Sequence, residues 1–308
     1  MTSKMVVLIG EQPIPNLLPV LHIKPTAVLL VQTKFTEPTG KRLKSRLRQD
    51  GLEVQSLTIR DPYDIPSIRQ NIQEKLTHLG WLSQTLLFNV TGGTKPMSIS
   101  AYQLAQQNNC LILYLQSEGQ QTRMRRYRLD ADQIIPEANE ILPTLITIDD
   151  YLRVYLPGYS QTGFSKDQHG NIDAGGRFEK IIHDTLKPHV DEVMAGVRPE
   201  GVKKQIDIDL VIRQGNQVGI AEIKTGGADK RGLDQLSTAG GRAYLGIYTA
   251  KFWIVGVRDL RSELRALANA RNVNIIHLPG YRDGKKLNPK EANRLINTVL
   301  EKLGSRKR

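Results

Sequence analysis

The sequence predicts an α/β protein of two domains: an N-terminal Rossmann-like half with a mostly parallel sheet, and a C-terminal half of mixed α/β order. Three observations carry this reading. The chain has 308 residues, which suits two domains better than one. Short apolar runs alternate with helix-periodic segments through residues 1–130. A Pro- and Gly-rich stretch over 136–176 then breaks the alternation, and the order afterwards is helix, hairpin, helix, strand.

Val6-Val7-Leu8-Ile9 is a buried-strand run that stops at Gly10. Asn16 is placed to cap a short helix ending near residue 21. Residues 27–31 form a second strand. Residues 40–50 carry Leu43 and Leu47 four apart and predict a helix stopped by Gly51. A third strand covers 53–57, a long helix 65–78, a fourth strand 85–90, a helix 97–107 and a fifth strand 110–115. Residues 123–129 read as a more polar strand, antiparallel at the sheet edge. The domain limits are therefore 1–142, a junction over 143–176 with a short helix near 148–156, and 177–308. In the second half, a helix covers 177–186 and two strands cover 204–213 and 217–224. A helix near 233–240 and a strand over 252–257 come next. Asp259 starts a helix ending near 271, and a strand covers 273–278. The last helix, 289–303, has Asn288 as its cap and Pro289 at its first position.

The composition narrows the classes. Hydrophobic residues make up 39% and charged residues 24%, which suits a folded globular chain. The single cysteine, Cys110, excludes a disulfide framework and a cysteine zinc site, and a reducing cytoplasm is the expected compartment. Cys110 itself lies in an apolar strand and reads as inert core. No apolar run approaches the 18 residues of a membrane span, and residues 5–9 are too short for a signal-peptide core. The histidines show no HxxxH pairing, and His183 and His189 read as structural or surface groups. Charge is uneven. Residues 1–150 hold 16 Lys/Arg against 14 Asp/Glu, whereas residues 151–308 hold 27 against 17. A polyanion such as nucleic acid is the simplest partner for the second half. The basic tail 305–308 adds at most a nonspecific electrostatic contact.

Three segments carry chemistry. Asn89-Val90-Thr91-Gly92-Gly93-Thr94-Lys95-Pro96 joins a strand to a helix at the C-terminal edge of the sheet. Its glycines let backbone N–H groups face a cleft, the helix start favours anions, and Thr91, Thr94 and Lys95 add donors. The spacing is neither a Walker A nor a GxGxxG motif, yet it suits phosphate or nucleotide binding. The loop Gly10-Glu11-Gln12-Pro13-Ile14-Pro15-Asn16 lies at the same edge and is expected to face the first across one pocket, with Gln12 and Pro13 as candidate contacts.

The third segment is the hairpin Gln205-Ile206-Asp207-Ile208-Asp209 followed by Ala221-Glu222-Ile223-Lys224. Metal-dependent phosphodiester cleavage needs carboxylates for a divalent cation and gains from a lysine beside the attacked phosphate. Glu222 and Lys224 are two apart on a strand and share a face. A Gln214-Gly215 loop pairs Asp207 with Glu222. A Gly215-Asn216 loop shifts the register by two and keeps the same faces, while a three-residue loop turns Asp207 away. Charges among Ile206, Ile208, Ile220 and Ile223 are costly unless paired or metal-bound.

With these motifs in view, the chain resembles a known family. The opening strand, Gln12-Pro13-Ile14-Pro15-Asn16 and Thr91-Gly92-Gly93-Thr94-Lys95 look like a CRISPR-associated Rossmann fold (CARF) domain. Asp207 and Glu222-Ile223-Lys224 look like the PD-(D/E)xK restriction-endonuclease-like core. Together they resemble the CRISPR ancillary nucleases of type III antiviral systems. The resemblance implies a homodimer that binds cyclic tetra-adenylate across its CARF interface. It also implies an activated, manganese- or magnesium-dependent cleavage of single-stranded RNA or DNA, or nicking of duplex DNA. Asp207 and Glu222 would then be metal ligands and Lys224 the phosphate-stabilising lysine. Glu179 would match a helical carboxylate of the fold, its other reading being a solvated helix acid, and Gln235 a helical glutamine. Gln205 departs from the acid that many relatives carry two residues before the first Asp. This leaves two alternatives, a single metal ion or a larger role for Asp209. Two other functions fit the residues less well: a ligand-sensing, nucleic-acid-binding regulator that does not cut, and a constitutive repair or restriction nuclease.

Overall fold

Residues 3–118, 121–130, 133–201, 206–227, 229–242 and 244–304 are described by the computed structural model; Gln205 and the tail 305–308 lie outside them. The chain divides into two compact units, Met1–Leu145 and Ile146–Arg308.

The first unit is a seven-stranded sheet. Its strands are β1 (Lys4–Leu8), β2 (Ala27–Thr33), β3 (Glu53–Ile59), β4 (Leu86–Asn89), β5 (Leu111–Glu118), β6 (Gln121–Asp130) and β7 (Gln133–Ile141). The helices are α1 (Ile14–Ile23), α2 (Glu37–Gln49), α3 (Ile65–His78) and α4 (Lys95–Gln107). The order is β3-β2-β1-β4-β5-β6-β7, parallel as far as β5 and antiparallel beyond it. Continuous apolar strands fit this arrangement because both faces are covered. Leu8, Leu29, Val31 and Phe88 pack with Ile68, Ile72, Met97 and Leu104 of α3 and α4. The alternate residues Met5, Val7, Val28 and Leu30 are equally buried, and α1 and α2 touch β1 and β2. Phe88→Ala should lower stability by about 3–5 kcal/mol, since a fully buried ring leaves a cavity. A lowered urea midpoint is the check, and an unchanged one would remove Phe88 from the core.

Two expectations are corrected here. The polar strand β6 is not the edge; β7 is, and most of it fell inside the stretch read as a break. β7 carries Pro136 beside a register shift at Arg126/Tyr127, as suits an edge strand. Asn16 does not cap α1. Pro13 holds that position, and the buried Asn16 side chain lies within the helix and donates to Leu8 O at 2.8 Å.

The second unit begins inside the segment read as a junction, with α5 (Ile148–Tyr155) and β8 (Gly158–Gln161). A capping box between Thr147 and Asp150 starts α5. There follow α6 (Ala174–Leu186), β9 (Glu192–Glu200), β10 (Ile208–Gln214), β11 (Gln217–Lys224), α7 (Lys230–Ala239), β12 (Ala250–Val255), α8 (Ser262–Ala270), β13 (Asn274–His277) and α9 (Pro289–Leu303). The sheet order is β13-β12-β11-β10-β9-β8. β11 is its seam: it runs parallel to β12 and antiparallel to β10. Phe178, Ile182, Leu210, Phe252, Ile254 and Leu295 form the core on one side. α9 has the expected start, with Asn288 accepting from Glu291 N. α8 starts later than expected, after Arg261 rather than at Asp259.

Candidate functional site

In the first unit β1 and β4 are neighbours, while their continuations lead away on opposite sides of the sheet order. This is the switch point of an open sheet, where the loops after both strands bound a crevice. The two loops meet there as expected. A Cβ on Gly92 would lie 2.2 Å from Leu8 O and 2.8 Å from Gly10 N, so only glycine allows this approach. Gly93 has φ +77°, a left-handed value that glycine adopts freely.

The polar side chains of the loop divide into structural and free. Asn89 is fully buried; its amide donates to Pro15 O at 3.2 Å and its carbonyl accepts from Thr91 N and Oγ1. Thr91 Oγ1 also accepts from Leu115 N at 2.8 Å. Thr94 donates to Pro62 O at 2.8 Å and caps α4 through Met97 N. Each threonine hydroxyl has one proton, and both are already committed. Asn89, Thr91 and Thr94 therefore knit the loops together rather than offering donors outward. Pro13, at the start of α1, is buried and Gln12 is half-buried. What remains for an anion is the backbone N–H of Gly92 and Gly93, the first turn of α4, and Lys95, which is exposed.

In the second unit the hairpin turns at Gly215-Asn216, with Gly215 at φ +59° as hairpin loops favour. Gln214 pairs with Gln217 and Leu210 with Ala221. Continuing that register sets Asp209, not Asp207, across from Glu222. This corrects the pairing expected from a Gln214-Gly215 loop. Asp207 sits two residues further out, exposed, and makes a bidentate pair with Arg198 at 2.6 and 3.1 Å. Asp209 accepts from Ile223 N at 2.6 Å. Glu222 is 3% exposed and its Oε1 is 2.8 Å from Lys224 Nζ.

Burial, reinforced by Glu222 and Glu179, pushes the Asp209 carboxyl well above the usual carboxylate range. Burial also raises Glu222, outweighing the opposing pull of Lys224. Burial disfavours the Lys224 ammonium, but Glu222 and Asp209 more than restore it, and its pKa is raised. Two adjacent acids disfavoured as anions and one stabilised cation mark a site with excess negative charge. Glu179, on α6, is buried, and both its oxygens are engaged by Ser165, accepting from N at 2.8 Å and Oγ at 2.6 Å. It is neither a solvated acid nor a free ligand; it pins the 165 loop and adds charge to the cluster. α7 closes over β11 at Gly232, where a Cβ would lie 3.3 Å from Glu222 Cγ and 2.8 Å from Trp253 Nε1. Gln235, half-buried, is three residues on and so lies on that same side of the helix.

Asp209 and Glu222 supply two hard oxygen donors, which fits magnesium or manganese better than zinc. Among the described residues no three His, Cys, Asp or Glu side chains form a closed metal site. A two-carboxylate site agrees with this, because such ions keep several waters and take further oxygens from a phosphate substrate. The raised acids also set a pH response. A carboxyl with a raised native pKa favours folding while protonated, and that contribution is lost as pH rises from about 4 through the native value. Metal-free protein should therefore melt lower at pH 8 than at pH 5. Asp209→Asn should raise the pH 8 melting temperature and flatten the difference. Equal melting curves for the two proteins in EDTA would contradict this.

The family model described as the Card1 CARF domain matches residues 5–151. The matched segment coincides with the first unit, which is thereby a CARF domain. No curated protein matches the chain in sequence. Among solved structures it is similar to Can2 from Sulfobacillus thermosulfidooxidans in complex with cyclic tetra-adenylate. The TM-score is 0.73 and the identity 15%, covering 98% of this chain and 100% of that one. It is also similar to protein VC1899 from Vibrio cholerae, with TM-score 0.72, 14% identity and coverage of 96% and 97%. A type III CRISPR defence DNA nuclease activated by cyclic oligoadenylate gives TM-score 0.66 and 15% identity; all of this chain spans 53% of that chain. These likenesses extend the shared fold across both units. No described helix is long and apolar enough to cross a membrane.

Proposed function

We propose that the chain is a cyclic-oligoadenylate-activated, metal-dependent nuclease of type III CRISPR defence, working in the cytoplasm as a homodimer. The observation that carries the reading is half-buried Asp209 set across from buried Glu222, with Lys224 beside it, on the second unit of a chain whose first unit is a CARF domain. Can2 in its cyclic tetra-adenylate complex and the cyclic-oligoadenylate-activated DNA nuclease share this fold and support it. In this reading Asp209 and Glu222 hold the ion, which when bound supplies a Lewis acid and an activated water. Lys224 places its ammonium toward the phosphate oxygens, where charge develops. Asp207 and Arg198 form the rim, and Glu179 fixes the adjoining loop. Gly92, Gly93 and Lys95 receive activator phosphates at the switch point. The two-fold symmetry of a cyclic tetranucleotide suits a two-fold dimer of first units, with two copies of these loops around one ring.

The test incubates labelled RNA and plasmid with the protein, with and without manganese and cyclic tetra-adenylate. Cleavage only with both is expected. Cleavage without activator would indicate a constitutive nuclease, and binding without cleavage a regulator. Lys95→Ala removes a charged phosphate contact and should weaken cyclic tetra-adenylate binding ten- to hundred-fold, about 1.5–3 kcal/mol, in calorimetry. Unchanged affinity would take Lys95 out of the pocket.

A further inference from the structure

Beyond the carboxylate pair, the second unit has a cleft of about 740 Å³ at the C-terminal ends of β11, β12 and β13. Thr225, Gly256, Val257, Arg258, Gly280 and Arg282 line it. The chain enters it directly from Lys224, whose carbonyl accepts from Gly256 N at 2.8 Å. Among the described residues that line it are two arginines and no acid. Of the neighbouring acids, Asp259, next to Arg258, is exposed, and the other two are engaged. Asp283 pairs with Arg177 at 2.6 Å, and Glu291 is buried, accepting from Gly280 N at 2.6 Å and Asn288 Nδ2 at 2.9 Å.

Both arginines are exposed on loops that are themselves held. His277 Nε2 lies 2.7 Å from Val257 O, beside Arg258, and its Nδ1 lies 3.1 Å from Arg265 Nη2. With Arg265 as the donor there, Nε2 carries the proton toward Val257 O. Arg282 follows Tyr281, which is buried with its ring 4.0 Å from that of Phe178. Arg282 Nη1 donates to Pro279 O and Tyr281 O, which orients the guanidinium while leaving other N–H groups outward. Planar guanidiniums fixed on pinned loops match phosphate oxygens, and Lys285 and Lys286 extend the basic rim in solvent.

From this arrangement we infer that the cleft is a subsite for the nucleic-acid backbone, in which Arg258 and Arg282 hold phosphates beside the bond cleaved at Glu222 and Lys224. The inference rests on the nuclease reading for its place in the reaction, but binding tests it separately. Fluorescein-labelled single-stranded RNA and DNA oligonucleotides would be titrated by anisotropy over a range of salt concentrations. The full chain would carry Glu222→Gln so that probes stay intact, alone and combined with Arg258→Gln and Arg282→Gln. Loss of the two contacts should weaken binding at least tenfold at low salt. The slope of log affinity against log salt should become shallower by about 1.5, at roughly 0.7–0.9 per phosphate contact. Cyclic tetra-adenylate affinity should be unchanged, which also reports that the variant is folded. An unchanged salt slope, or no probe binding by the parent chain, overturns the subsite. Probe binding with the expected slope change, together with failure of the unsubstituted protein to cleave with manganese and activator, overturns the nuclease reading and leaves the cleft standing.

Discussion

The Asp209→Asn protein should bind cyclic tetra-adenylate normally and cleave about 10³-fold more slowly or less, while Asp207→Asn should cost under about tenfold. The contrast follows from the hairpin register. Asp209 is half-buried across from buried Glu222, whereas Asp207 is exposed and tied to Arg198. Asparagine keeps the shape of the side chain and removes one anionic ligand, so several kcal/mol of transition-state stabilisation go with it. Glu222→Gln should behave like Asp209→Asn, and the double variant should be little worse than either, because both remove the same ion. Initial cleavage rates against manganese concentration would distinguish these cases. A large loss in Asp207→Asn with a small one in Asp209→Asn would restore the pairing drawn from the Gln214-Gly215 loop and refute the observed register.

Gly92→Ala should abolish activator binding at accessible concentrations and lower the stability of the protein by about 1–3 kcal/mol. The new methyl group would have to occupy space 2.2 Å from Leu8 O and 2.8 Å from Gly10 N. Both are backbone atoms of β1 and its loop, so relief requires the two loops to part, and the Asn89–Pro15 contact that joins them would be lost. Cleavage at saturating activator should vanish with the binding site, yet oligonucleotide affinity should stay. Calorimetry with cyclic tetra-adenylate and anisotropy with an oligonucleotide give the two readouts. Normal activator binding by Gly92→Ala would place the sensor pocket elsewhere in the first unit.

The parts of the fold that could be read from the sequence are those with two independent local signals. α3 and α9 have apolar periodicity and also punctuation, a Gly80 stop in one case and Asn288-Pro289 in the other. The apolar runs of β1, β2 and β4 announced a parallel sheet because burial on both faces removes alternation. β7 gave no such signal: it is largely exposed along its length and contains Pro136, so neither alternation nor an apolar run marks it. β9 was hidden by Gly196 and Pro199. The carboxylate site was half legible. Glu222 and Lys224 share a face in any register, but the partner acid depends on which two of Gln214, Gly215 and Asn216 form the turn. Asp207 and Asp209 are alternate residues of one strand, so hydrophobic patterning cannot choose between them. At the crevice of the first unit, residue type suggested donors in Thr91 and Thr94 that Asn89, within the loop, and Pro62 O, far along the chain, had already taken. The Asn89–Thr91 contact is a local Asx turn that the Asn-Val-Thr spacing allows, whereas Pro62 O is 32 residues from Thr94 and no local pattern points to it.

The knitting of that edge has a thermodynamic meaning. Asn16, Asn89, Thr91 and Thr94 hold the loops after β1 and β4 in place through contacts internal to the unit. On the proposed reading, the crevice is thus ordered before an activator arrives, and binding it would cost little chain entropy. Calorimetric titration should then show a heat-capacity change accounted for by the ligand's own buried surface, without the larger change that accompanies coupled folding. If the crevice is the activator site, its response threshold would be set by contact strength alone. Its dose–response curve would therefore shift with single side chains such as Lys95 and not with conditions that favour or disfavour loop order.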